Sequence, residues 1–148
     1  MMRTEYTELT SGTVDGVLRE LGQYAIDRGY ASEGYVEAIL DREADFPTGL
    51  SVPTASFDIA IPHADPEHVT EPAVVLGLPE EPVPFRTMDD PERTVEAGVV
   101  MLLLAQENEG YTSFLSSLAD LFQHPHFGDA VEARDHERIL DLVESGCL

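Results

Sequence analysis

Lysine is missing from this chain of 148 residues, and so is tryptophan. Its basic side chains are eight arginines, set against 29 acidic ones, for a formal net charge of −21. No basic patch can be assembled from so few cations to neutralise a phosphate backbone, which argues against nucleic acid as a partner. One cysteine is present, Cys147, near the C-terminus. A disulfide within the chain is therefore excluded, a reducing cytoplasm fits, and Cys147 reads as a bystander rather than a nucleophile. Long apolar runs are absent too: none approaches the ~20 residues that span a bilayer, so no direct membrane insertion is expected. The opening Met1-Met2-Arg3-Thr4-Glu5 turns polar at once, unlike a signal peptide, and a cytoplasmic location is the expectation. Repeats, low-complexity tracts and obvious linkers are also missing, so residues 1–148 are read as one domain.

Apolar residues make up 43% of the chain, enough for one core and too many for wholesale disorder. The acidic excess strains a compact fold by self-repulsion unless counterions screen it. Two readings are open: adaptation to a salt-rich cytoplasm in a halophilic source, or an acidic surface made for a basic partner. The acidic residues are spread along the chain rather than blocked, which favours the halophilic reading.

Ser11 and Thr13 are placed to cap a helix carrying Val14, Val17, Leu18, Leu21 and Ala25 at helical spacing, ending near Gly29. Ser32 is placed to cap a second, with Val36, Ile39 and Leu40 on one face. That helix should end before Pro47, because the residue preceding a proline is pushed out of the helical region. Residues 57–61, 73–78, 83–88 and 97–105 are short apolar or β-branched stretches bounded by Pro, Asp and Glu, and they predict strands. The run Val99-Val100-Met101-Leu102-Leu103-Leu104 is apolar on both faces, as a central strand covered from both sides requires. Helical spacing then returns with Phe114, Leu115, Leu118, Leu121 and Phe122 until Pro125 stops it. Asp135 is placed to cap a last helix with Ile139, Leu140 and Val143 inward. Helices, then strands, then helices predict an α/β sandwich, a sheet with helices on both sides.

The segment Ile59-Ala60-Ile61-Pro62-His63-Ala64-Asp65-Pro66-Glu67-His68-Val69 concentrates the groups able to do chemistry. A strand delivers a rigid proline and then His63 where the chain leaves the sheet, and open α/β sheets place ligands at such strand ends. Pro62 lowers the entropy cost of holding the following ring in one orientation. Neutral imidazole is a good nucleophile near neutral pH: one nitrogen attacks while the other keeps its proton on an acceptor. An isolated histidine at a strand end can equally be a residue that only bonds the backbone. His63, Asp65 and His68 also spell H-x-D-x-x-H, three plausible metal ligands. Against a metal-dependent hydrolase, Pro62 and Pro66 impose a path that need not converge them, and no fourth ligand stands out. Neither a G-x-x-x-x-G-K loop nor a G-x-G-x-x-G loop is present, so no nucleotide or other cofactor is expected.

Together with Arg42-Glu43-Ala44-Asp45-Phe46-Pro47-Thr48-Gly49-Leu50, the Pro-His segment resembles the EIIA domains of the sugar phosphotransferase system. The resemblance is to the fructose and mannitol class, nearest its galactitol-type branch, and it spans nearly the whole chain in the order of its elements. It implies a mixed sheet covered by helices on both sides. It also implies a phosphotransferase function: His63 takes a phosphoryl group from the carrier HPr and passes it to an EIIB domain, which energises sugar uptake through a membrane EIIC. Arg42 then matches an arginine that pairs with phosphate oxygens; otherwise it is a helix-end arginine in a surface ion pair. Thr48 is a hydroxyl donor to phosphate or a turn residue bonding its own backbone. The backbone N–H groups after His63 are further donors. His68 is a second imidazole able to orient phosphate. The class carries another histidine near the start of the helix after the central strand; here that region reads Glu109-Gly110-Tyr111-Thr112, and Tyr111 is the nearest polar aromatic. His124, His126 and His136 read as surface or capping residues. A regulatory phosphoacceptor of the nitrogen-related branch is the alternative on the same fold.

Overall fold

In the computed structural model, residues 3–52, 57–122 and 124–147 are described, with only the backbone for 108–110 and 147. The chain opens on strand β1 (Arg3–Leu9) and helix α1 (Val14–Asp27). Thr13 caps α1, its hydroxyl oxygen accepting the Gly16 N–H at 3.1 Å. Gly29, at φ 82°, ends it: its N–H reaches the Ile26 carbonyl and the Tyr30 N–H reaches that of Ala25. That is the left-handed helix stop for which glycine is suited.

Helix α2 (Tyr35–Asp45) comes next and stops ahead of Pro47, as its sequence requires. Ser32 does not cap it. The N-terminal cap position is Gly34, and the Ser32 N–H instead donates to the His68 carbonyl at 3.0 Å. This ties the link between α1 and α2 to the segment after His63.

Strands β2 (Gly49–Leu50), β3 (Asp58–Ala60), β4 (Ala73–Pro79), β5 (Val83–Arg86) and β6 (Thr94–Leu104) complete the sheet. Among the described residues its order is β1-β4-β6-β3-β2, with β5 also paired to β6. β1 runs parallel to β4 and β3 parallel to β6, while the β2–β3, β4–β6 and β5–β6 pairs are antiparallel. The sheet is mixed, as expected, and the apolar run at 99–104 forms its centre. Helices α3 (Asn108–Phe122), α4 (Pro125–Glu132) and α5 (His136–Cys147) close the chain.

Two cores lie on opposite faces. Val75, Phe85, Val100, Leu102 and Leu104 pack with Leu18, Leu21 and Ile39 of α1 and α2. Val74, Leu76, Met101 and Leu103 pack with Phe114, Leu118, Phe127, Ile139 and Val143 of α3 to α5. Along β6 the period-two alternation breaks once. Ala97 and Val100 share the first core while Val99 faces the second, and the pairing to β3 shifts so that Asp58 opposes Ala97 and Ile59 opposes Val99. The extra residue is Gly98, whose Cα hydrogen faces Phe57; a Cβ there would lie 3.0 Å from the Phe57 Cβ. A bulge of this kind bends the strand and re-aims the residues beyond it. It does so beside β3, the strand that leads to His63.

Three elements were not expected: β1, β2 and α4. β1 buries only Leu9 fully, and its polar edge-strand composition carries no alternating signal. Pro125 ends the α3 pattern, as expected, but it is also the first residue of α4, where its missing N–H costs nothing.

Candidate active site

His63 leaves the C-terminal end of β3 through two pinned residues. The Ile61 N–H donates to the Thr48 carbonyl at 3.1 Å, and the Pro62 carbonyl accepts the Leu103 N–H of β6 at 3.1 Å. The ring then folds back so that its Nδ1 lies 2.9 Å from the Ile61 carbonyl oxygen. A carbonyl can only accept, so this contact places the proton on Nδ1 and leaves Nε2 as a bare lone pair. Nε2 has no hydrogen-bond partner among the described residues.

Burial lowers the His63 pKa below its ordinary value; the Ile61 carbonyl opposes this, Arg42 adds a smaller downward push and Asp65 an upward one. The ring is therefore neutral at pH 7, the form a nucleophile needs.

Tyr111, at the start of α3, stands beside the His63 ring with centroids 4.8 Å apart and planes 33° from parallel. Its hydroxyl donates to the Ala64 carbonyl. Burial pushes that hydroxyl up to about 12, so it keeps its proton and holds the backbone just after the histidine. Tyr111 thus occupies the neighbourhood of the missing second histidine, with its donor spent on the chain.

Arg42 approaches from α2. Its guanidinium lies 4.6 Å over the ring of Phe46, one helical turn on, and Nη1 is 3.4 Å from an Asp65 carboxylate oxygen. Both partners of that ion pair are well exposed, so the pair itself holds Arg42 weakly. The Phe46 ring, 60% exposed, supports the cation from beneath.

Thr48 lies elsewhere than a phosphate donor must. It is 2% exposed, and its hydroxyl and N–H both donate to Glu43, at 2.6 and 2.8 Å. Its proton is committed to the interior, and its carbonyl supports Ile61. His68 sits in a 3-10 turn at Pro66–His68, its Nε2 3.5 Å from Glu67 and its carbonyl holding Ser32. The sequence pattern His63, Asp65, His68 does not become a metal site: among the described residues no three His, Cys, Asp or Glu side chains come together as ligands. Beyond the site, His136 stacks on Tyr6 at 4.0 Å, and His124 accepts the His126 N–H at the start of α4.

Sequence reading missed Glu43, Phe46 and the Ile61 carbonyl. Phe46 was legible as the residue four beyond Arg42 on one helix. A glutamate five residues before a threonine gave no such signal until the turn between them was known.

The site can therefore offer a neutral imidazole with a fixed proton, an adjacent cation and backbone N–H groups. Among the described residues the amides of Ala64 and Asp65 donate to no backbone carbonyl. No helix among the described residues is long and apolar enough to cross a membrane.

Comparison with known proteins gives the family of the chain. The family model described as phosphoenolpyruvate-dependent sugar phosphotransferase system, EIIA 2, matches residues 2–146. The galactitol-specific EIIA component of Escherichia coli (strain K12) is 29% identical over 109 residues, 74% of this chain and 71% of that one. The fructose-specific EIIA component of Haloferax volcanii is 27% identical over 134 residues, 88% of this chain and 82% of that one. Among solved structures, the complex of mannitol enzyme IIA with phosphorylated mannitol enzyme IIB from Escherichia coli matches at a TM-score of 0.73. Sequence identity there is 23%, over 95% of this chain and 93% of that one, so it attests the fold.

Proposed function

This chain belongs to the EIIA 2 family of the phosphoenolpyruvate-dependent sugar phosphotransferase system, and we propose that it carries the phosphoryl group on Nε2 of His63. The observation that carries this reading is the Nδ1 contact to the Ile61 carbonyl, which leaves Nε2 as the available nucleophile. The donor is a phosphohistidine on a carrier of the HPr kind. Its phosphorus–nitrogen bond breaks as the new bond to Nε2 forms, and the donor imidazole leaves with the electron pair. No proton has to move at His63. An EIIB domain takes the group onward, for sugar uptake through a membrane EIIC.

Phosphoryl transfer asks a protein mainly for positioning and charge stabilisation. In a chain of net charge −21, that stabilisation has to be local. Arg42 supplies it by exchanging the exposed Asp65 carboxylate for phosphate oxygens, and the Ala64 and Asp65 amides add neutral donors. The acidic, lysine-free composition supports high salt as the working condition, where like-charged partners approach with their repulsion screened.

The test is incubation with phosphoenolpyruvate, enzyme I and HPr at high salt, then intact mass and fragmentation. One acid-labile phosphoryl group on His63 is the expected product, and its absence would end the proposal. Arg42→Ala should slow acceptance by about 10–100-fold, since a charge-assisted hydrogen bond contributes about 1.5–3 kcal/mol and ~1.4 kcal/mol is a factor of ten. The same substitution should raise the His63 pKa, because it removes a downward push. Imidazole NMR titration reads that shift independently of transfer.

A further inference from the structure

We propose that Glu43 is a positioning residue for His63, acting through Thr48 and the Ile61 residue to set how the imidazole is held. The inference rests on His63 being the phosphoryl acceptor. Its basis is an unbroken chain of contacts. The Glu43 carboxyl accepts the Thr48 hydroxyl at 2.6 Å and the Thr48 N–H at 2.8 Å. The Thr48 carbonyl accepts the Ile61 N–H at 3.1 Å. The Ile61 carbonyl holds His63 Nδ1 at 2.9 Å. Pro62 stiffens the last link, because its ring fixes one backbone angle between that carbonyl and the histidine. Displacing Thr48 therefore displaces the acceptor that fixes the tautomer and angle of the His63 ring.

Glu43 is an unusual choice for a merely structural acceptor. It is 6% exposed. Burial pushes it up to about 7, against the two Thr48 hydrogen bonds and the pull of Arg86. Both forms of the acid are then populated near neutral pH, and they hold the turn differently. A carboxylate accepts both Thr48 donors. A neutral acid carries a proton on one oxygen, which can donate to the Thr48 hydroxyl and reverse that hydrogen bond.

The surroundings allow the exchange. A cavity of about 190 Å³ borders Glu43 between α1, α2 and β5. The charged groups facing it there are Asp15 from α1 and Arg86 from β5, whose guanidinium is anchored on the Ala44 carbonyl. Arg86 favours the carboxylate.

Titration of the wild-type protein by ¹⁵N NMR tests the link without any variant. The Ile61 amide and the His63 ring nitrogens should both show a step near pH 7, distinct from the titration of His63 itself at lower pH. Glu43→Gln should remove the step near 7 and leave the lower one in place. In phosphoryl acceptance from a phosphorylated histidine carrier, the wild-type rate should also carry that step. The Gln variant should lose it and run several-fold slower at its plateau. Ile61 and His63 signals that pass through pH 7 without a step would overturn the proposal, as would a Gln variant that retains it. If the step is present but wild-type protein accepts no phosphoryl group, the positioning link stands and the carrier reading fails.

Discussion

His63→Gln should give a folded protein that takes no phosphoryl group at all. Glutamine retains an N–H able to donate to the Ile61 carbonyl, and the site is only half-buried, so little stability is at stake. What it lacks is a basic nitrogen with a free lone pair, and neither hydroxyl near the ring can replace one. Tyr111 keeps its proton, with burial pushing it up to about 12, and has spent its donor on Ala64. Thr48 is committed to Glu43. The loss should therefore be complete rather than graded, unlike that of Arg42→Ala, which removes stabilisation but spares the nucleophile. Intact mass after the full relay, with circular dichroism as the folding control, is the measurement. Retained label would sink the assignment, and fragmentation would then point first to His68, five residues on.

Gly49→Ala should be the most damaging small substitution near the site. A Cβ on Gly49 would lie 2.6 Å from the Arg86 carbonyl oxygen and 2.9 Å from a Val95 methyl. The first of these is backbone and cannot turn aside. Gly49 also pairs with Ala60 across β2–β3 and accepts the Met88 N–H at 2.8 Å, so the strand cannot simply slide. Overpacking of this kind costs about 1–3 kcal/mol, which for a chain of this size lowers Tm by about 2–12 °C. Because Gly49 adjoins Thr48, acceptance by His63 should fall in the same variant. Gly12→Ala is the control: nothing lies within 4 Å of a Cβ there, and its Tm should not fall. Equal Tm values for the two variants would refute the packing argument.

Those two positions mark how differently fold and site were legible. Helices α1, α2, α3 and α5 announced themselves through apolar spacing, with Thr13, Gly29, Pro47 and Asp135 marking caps and ends, and β6 through its unbroken apolar run. β1 stayed hidden because an edge strand that fully buries only Leu9 has no pattern to read. Ser32 misled because a serine's preference for helix starts is local, while its actual partner, the His68 carbonyl, is 36 residues away. The site divided in the same way. Pro62-His63 and Arg42 are contiguous signals carrying their own chemistry. The roles of Thr48 and Tyr111 depended on which acceptor each hydroxyl finds, Glu43 in one case and the Ala64 carbonyl in the other. Such pairings are set by the closing of the sheet, not by neighbours in sequence.

The hydrogen bond from His63 to the carbonyl two residues behind it has a consequence for the direction of flow. It is made within the carrier's own backbone, so loading Nε2 neither creates nor breaks it. On the proposed reading, the charged and empty forms differ at one nitrogen and share the rest of their scaffold. Forward and reverse transfer then meet the same architecture, and the domain favours neither. Net flux is governed by the ratio of loaded donor to empty acceptor, which makes this protein a two-way valve whose direction is imposed by its neighbours.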